Sequence, residues 1–461
     1  MTQMDARVVS REYVKPISPT PRHLRVYELS LLDQVIPPVY SPIILFFPKA
    51  SHSKSCVPLK KSLAESLSRF YPLAGRIKDA FSVECNDEGA AYVEAKMHSS
   101  LSAYLNQRDS SSMHKLLPRE FNWYVTGPGS HVLIVQVTNF SCGGFSIGLL
   151  IAHMVVDGTS VSCFLRDWAS SSRQAGHEIV LPMFGAASMF PQAVPFPAEL
   201  SLPAFWSRFL RKTKTAQKRL VFDSVSINVL KAKARSSSLK DPTRVEVVSA
   251  FLCKSIMSVF RRRNHRPTVV TQAVNMRKRA DPPLPACLIG NFPWLAIKLF
   301  ANNDQDDASD ISTTVVQLRQ ATAMIDATFV RSLQGDKAVS KIRETMNEMR
   351  SLGLNSPAGV DYVGFTSLCN MGGYDQLDFG SGRPILSTFC TDEAIQDGPL
   401  INTVFLVDTR EGRGIEALVL LDHEEIAALE QDKELLAYAN VDPNPLSNNR
   451  PDQCQINPVL C

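Results

Sequence analysis

The clearest pattern of hydrophobic and polar positions lies between residues 131 and 168, HVLIVQVTNFSCGGFSIGLLIAHMVVDGTSVSCFLRDW. Residues 131 to 140 are almost all β-branched or apolar and predict a strand, and Cys142-Gly143-Gly144 supplies a hairpin turn. Residues 145 to 153 return as a second strand whose apolar run is near-continuous, which predicts cover on both faces. After Asp157-Gly158 the period lengthens, with Val161, Phe164, Leu165 and Trp168 on one helical face. His153 therefore falls where a buried strand ends and a helix is about to begin.

Around this centre the chain alternates strand and helix patterns. Residues 12 to 49 open as a proline-punctuated arm and continue into the strand-like SPIILFFP. Leu63, Leu67 and Phe70 keep helical spacing until Pro72 ends the helix. Residues 81 to 95 predict a hairpin of two short strands around Asn86-Asp87-Glu88-Gly89. From Ser170 to Lys218 five prolines and isolated large apolar residues break any period, which predicts a long crossover lying on the surface. The second half resumes with a strand and helix at 218 to 234, a helix from Thr243 to Phe260, and the strand TVVTQAVNMRKR. Two helices flank Gly335, a hairpin spans NTVFLVDTR and GIEALVLLD, a short helix follows from His423, and residues 440 to 461 read as a frayed tail.

The expected architecture is α/β: two similarly built domains with mixed sheets, residues 1–185 and 218–461, joined by a crossover at 186–217, with a channel between them. At 461 residues and 44% hydrophobic content, two domains are the natural expectation. With 49 Lys and Arg against 45 Asp and Glu, charge suggests no nucleic-acid partner. No secretory signal or membrane-length apolar run is visible, and the ten cysteines show no C-x-x-C spacing. That predicts a cytoplasmic, metal-free protein with reduced thiols.

An imidazole at a strand end can take a proton from a hydroxyl or amine and pass it on. Asp157, four residues later, either caps the following helix or pairs with a distant arginine. The H-x-x-x-D spacing alone also fits a histidine satisfied at a strand end. No G-x-S-x-G elbow accompanies it, so a serine relay is disfavoured.

Several segments together resemble the BAHD family of plant acyl-CoA-dependent acyltransferases. They are LSLLDQ at 29–34, YPLAGR at 71–76, ECNDEGAAYVEA at 84–95, SCGGFSIG at 141–148, HMVVDG at 153–158, QAVNMRKR at 272–279, GN at 290–291 and LDFGSGRP at 377–384. SPTP, QAVNMRKR and GIEALV look most like the vinorine synthase-like branch of alkaloid acetyltransferases. The resemblance implies two chloramphenicol acetyltransferase-like domains, a solvent channel with His153 at its centre, and acyl-CoA and acceptor entering from opposite faces. It implies His153 as general base and direct attack on the thioester, without an acyl-enzyme. Asp157 would point away from the channel and pair with Arg277, or failing that Arg279, with no resident cofactor or metal and a monomeric protein.

The family's D-F-G-W-G signature appears here as Asp378-Phe379-Gly380-Ser381-Gly382. The resemblance places Gly380, Ser381 and Gly382 near coenzyme A and makes Asp378 a structural anchor. The tryptophan has been proposed to donate to the oxyanion, and Ser381 is too short to reach the same point. If that donor is lost, about 2.7 to 4 kcal/mol of transition-state stabilisation is at stake. Acetyl transfer to a hydroxyl of an alkaloid or terpenoid is the leading expectation. Transfer of an aromatic acyl group, or a non-catalytic binding role, are the alternatives.

Overall fold

The computed structural model describes residues 5–49, 58–107, 110–118, 125–173, 179–237, 239–301, 310–352, 359–389 and 399–446. Cys56, Cys390, Cys454 and Cys461, and the expected tail from 447 on, lie outside them.

The first half contributes β1 (Arg7–Val14), α1 (Leu31–Val35), β2 (Tyr40–Phe47), α2 (Leu59–Arg69), β3 (Ala90–Met97), β4 (Leu133–Phe140), β5 (Phe145–Ala152) and α3 (Gly158–Ser172). The second contributes β6 (Thr215–Phe222), α4 (Ser224–Ala234), α5 (Arg244–Asn264), β7 (Thr268–Asn275), β8 (Pro293–Phe300), α6 (Ile311–Ala323), α7 (Ala327–Ser332), α8 (Ala338–Ser351), β9 (Asp361–Ser367), β10 (Leu386–Phe389), β11 (Thr403–Asp408), β12 (Ile415–Asp422), α9 (His423–Leu429) and β13 (Asn440–Val441).

One mixed sheet runs β1-β3-β4-β5-β2-β10, with β3 and β4 parallel. The other runs β8-β7-β9-β11-β12-β6-β13, with β7–β9 and β9–β11 parallel. The β4–β5 hairpin pairs Leu133 with Ile151 and closes through Gly143, whose φ of +85° only glycine takes without strain. Seven of the eight residues of β5 are buried, as its continuous apolar run requires. In the second half α5 begins at a capping box between Thr243 and Glu246, and its inner face packs on α4 and α6.

Several elements differ from the sequence reading. Residues 81–95 form no hairpin: Ser82–Glu84 pairs with Val26–Glu28 and Arg76–Ile77, while β3 joins the first sheet. The Asn86–Gly89 turn carries the chain from this small three-stranded sheet into the first, held where Gly89 N–H binds Ala74 O and Cys85 N–H binds Arg25 O. The 186–217 crossover is not a surface loop, since Phe190, Leu200 and Phe205 are fully buried in a third core cluster with Leu31, Val269 and Phe292. Three helices, not two, occupy 311–351, and Asn440–Val441 pairs with β6 instead of fraying. The chain halves also do not divide the sheets cleanly, because β10 from the second half adds to β2 of the first. No helix among the described residues is long and apolar enough to cross a membrane.

Candidate active site

His153 sits one residue past β5 and is partly exposed, while Met154 to Asp157 are buried. Its backbone is held from both sides. The N–H donates to Val39 O (2.8 Å), and the carbonyl accepts from Asn291 Nδ2 (2.8 Å). Asn291 Nδ2 also donates to Asp33 Oδ1 (2.9 Å), which accepts from Asn291 N–H as well (2.7 Å). Asp33 Oδ2 accepts from the N–H and hydroxyl of Ser30, each at 2.7 Å. Burial pushes the Asp33 carboxyl up to about 6 despite these hydrogen bonds, which pull the other way.

The amide orientation of Asn291 follows from its partners. A carboxylate and a carbonyl both need a donor, so Nδ2 faces them and Oδ1 faces elsewhere. Asn291 Oδ1 and His153 Nδ1 are then both buried without a partner among the described residues.

Asp157 performs both roles left open by its spacing. Its Oδ1 accepts from Ser160 N–H (2.9 Å) and caps α3, and its carboxylate binds Arg277 through Nη1 (2.6 Å) and Nη2 (3.1 Å). Arg277 is 2% exposed in its side chain, and its Nη2 also donates to Ser160 Oγ (3.1 Å) and to Leu288 O (2.8 Å). Phe292 N–H donates to Asp157 Oδ2 (3.1 Å), and the Phe292 ring lies 4.3 Å from the guanidinium. Arg279 takes no part: it donates to Thr322 O and Ile325 O. Gly158 lies close to the Leu368 side chain: a Cβ there would meet Leu368 Cδ2 at 2.6 Å, so that side chain would have to move.

The 378–382 loop is tied to the other end of α3. Asp378 Oδ1 accepts from Gly380 N–H (2.7 Å) and Gly382 N–H (2.9 Å), and its carbonyl accepts from Arg173 Nη1 (2.8 Å). Phe379 packs edge-on to Trp168 and Phe47, with centroids 5.0 and 5.5 Å away. Fifteen residues of helix separate Asp157 from Arg173, about 22 Å at 1.5 Å per residue. Thus Asp157, Arg277 and His153 gather at the start of α3, while Asp378, Gly380, Ser381 and Gly382 follow its end.

Asp33, Asn291, Ser160 and Arg173 were not singled out from the sequence. Asp33 and Asn291 stand in LSLLDQ and GN, so a signal existed, but they are 258 positions from each other and Asn291 is 138 from His153. A separate cavity of about 730 Å³ is lined by Tyr40, Arg76, Lys78, Glu84, Glu88 and His131 among others. His153 does not line it, although Tyr40 pairs with Ala152 beside it. His131 is pulled down to about 4 by burial and then by Arg76, so it is uncharged at neutral pH.

Residues 4–436 match the model of the Transferase family. An epi-neemfruitin B 7-O-acetyltransferase of Melia azedarach is 38% identical, over 96% of this chain and all of that protein. A limonoid 7-O-acetyltransferase of Citrus sinensis is 36% identical, over 96% of this chain and all of its own length. The crystal structure of vinorine synthase aligns with a TM-score of 0.77 at 33% identity, over 94% of this chain and 98% of that one. The chain belongs to this Transferase family, the BAHD acyltransferases, and is an acyl-CoA-dependent O-acyltransferase acting on a small-molecule acceptor.

Proposed function

We propose that this protein transfers an acetyl group from acetyl-CoA to a hydroxyl of a terpenoid or alkaloid, with His153 as general base. One observation carries the reading: His153 is partly exposed and clamped through its backbone, and among the described residues its ring has no partner on Nδ1. A ring so held keeps its position without being tied up by another side chain, as proton transfer requires.

The imidazole takes the acceptor hydroxyl proton as the oxygen attacks the thioester carbonyl. The tetrahedral intermediate collapses, the C–S bond breaks, and the imidazolium protonates the departing coenzyme A thiolate. Ester and free coenzyme A result, and no acyl-enzyme forms. A histidine proton resting on Nδ1 would leave Nε2 as the basic nitrogen. Asp157 and Arg277 act as positioning residues, as does Asn291. The 378–382 loop is an anchor that shapes the coenzyme A side, and its tether at the far end of α3 argues against Ser381 as an oxyanion donor. Acyl-CoA and acceptor would meet His153 from opposite faces of a channel between the two halves, within a monomeric cytoplasmic protein.

The acetyl choice is supported by the two O-acetyltransferases that resemble the chain over nearly its whole length. The test mixes enzyme and acetyl-CoA with a panel of limonoid and alkaloid alcohols and follows free thiol. His153→Ala should lose at least about 10²-fold in kcat/KM. A wild-type rate no greater than that of the variant, with every alcohol, overturns the proposal. Benzoyl-CoA outcompeting acetyl-CoA overturns the acetyl choice alone.

A further inference from the structure

Helix α3 carries a second cluster, on the side that faces the loop leading into Gly290 and Asn291. Cys163 Sγ and Cys287 Sγ lie 2.6 Å apart although 124 positions separate them in sequence. A disulfide forms at about 2.05 Å, so these sulfurs are already at the approach that bonding needs. Arg166 Nη2 lies 3.2 Å from Cys163 Sγ and 3.7 Å from Cys287 Sγ. Its Nε is buried without a partner, so the guanidinium faces chiefly the two sulfurs. Cys163 is buried, whereas Cys287 is half-buried next to exposed Ala286.

We propose that Cys163 and Cys287 are a redox modification site, oxidised reversibly by small disulfides of the glutathione class to an intramolecular disulfide that staples α3 to the 281–291 loop. The Cys287 thiolate attacks one sulfur of the small disulfide and expels its other half as thiolate. Cys163 then loses its proton and attacks Cys287 Sγ of the mixed disulfide, expelling the second half. Two protein thiols lose two electrons and two protons, and the oxidant becomes two thiols.

The surroundings divide the two roles. The hydrogen bond from Cys163, then the Arg166 charge, pull the Cys287 thiol down, and the same hydrogen bond with burial pushes Cys163 up. The more accessible sulfur is therefore the attacking one and the buried sulfur resolves it. Cys85, Cys253 and Cys369 are each pushed up to about 12, chiefly by burial, and offer no comparable thiolate. Cys142 is exposed but lies in the hairpin turn, which makes it an internal control for accessibility alone. The staple would fix the loop whose Leu288 and Asn291 hold Arg277 and His153.

The experiment incubates the reduced full chain with oxidised glutathione and maps peptides by mass spectrometry without reductant. A linked Cys163–Cys287 peptide, lighter by two hydrogens and released by dithiothreitol, is expected. Closing so long a loop should raise the thermal midpoint by roughly 5 °C. Cys163→Ser should stop Cys287 at the glutathione adduct, and Cys287→Ser should leave Cys163 unmodified. Differential alkylation of the wild type reads the same pair if a substitution fails to fold. Adducts on Cys142 with both partners still free overturn the proposal, as does Cys287 arrested as an adduct in the wild type, or a cross-link that appears only after unfolding in urea.

Discussion

Asp33 and Arg277 show how a buried charge is tolerated only where its neighbours are built for it. The unfolded Asp33 carboxyl titrates near 3.8 and the folded one near 6, so between these values the folded state binds more protons. Stability from this group therefore falls as pH rises through that window and stays at its lower level above pH 6. The difference in unfolding free energy between wild type and Asp33→Asn should decline by about 2 to 2.5 kcal/mol from pH 4 to pH 7. Urea unfolding at four pH values measures it, and a flat difference would remove the buried ionised carboxyl from the account. Arg277 presents the opposite case, a fixed cation with its counter-charge 2.6 Å away. Asp157→Ala strands that cation and uncaps α3, so a loss of about 3 to 5 kcal/mol is expected in denaturant titration. Replacing both residues with apolar ones should recover part of it, whereas Arg277→Lys alone should not restore full stability, because one ammonium cannot reproduce the forked pair.

Helix α3 joins the chemistry of the chain's two signatures, since Asp157 caps its start and Arg173 holds Asp378 just past its end. That separation bears on the serine at 381. Were the loop to supply the oxyanion donor, Ser381→Trp should raise kcat by about 10² to 10³. A loop tied about 22 Å along the helix predicts a change of less than about tenfold instead, read from initial rates at saturating acyl-CoA. Much of this element was legible. The 133–152 hairpin and the helix after Asp157 follow from period alone, because each is closed by neighbours in sequence. Strands β8 and β9 and the edge strand β10 were not recognised, because their pairing partners lie outside any local window. The crossover misread has the same origin. Phe190 and Phe205 are spaced too irregularly to signal a core, yet α1 and β7 of different halves close over them. At the site, His153 stood out by its place at a strand end. Asn291 did not, since GN is a short mark and the backbone it holds lies 138 positions away.

At the scale of the whole molecule, the two halves exchange structure instead of merely touching. Strand β10, Leu386–Phe389, pairs with Phe46 to Ile43 and covers the edge of β2 in the first sheet. Leu377, Phe379, Ile385 and Leu386 enter the first-half core, and Ile289 joins them. A fragment of residues 1–185 would therefore lose both an edge strand and a set of buried apolar side chains. An open, apolar β2 edge is a template for intermolecular pairing. The fragment should be recovered as aggregate, or show no cooperative thermal transition, although it holds His153, Asp157 and α3 entire. Adding residues 186–461 in trans should restore a soluble complex, since the missing strand and the buried Asn291 and Arg277 all come from that piece. Circular dichroism and size-exclusion chromatography measure both outcomes. A stable, cooperatively unfolding 1–185 fragment would mean that the first sheet closes without β10 and that the halves are independent domains after all.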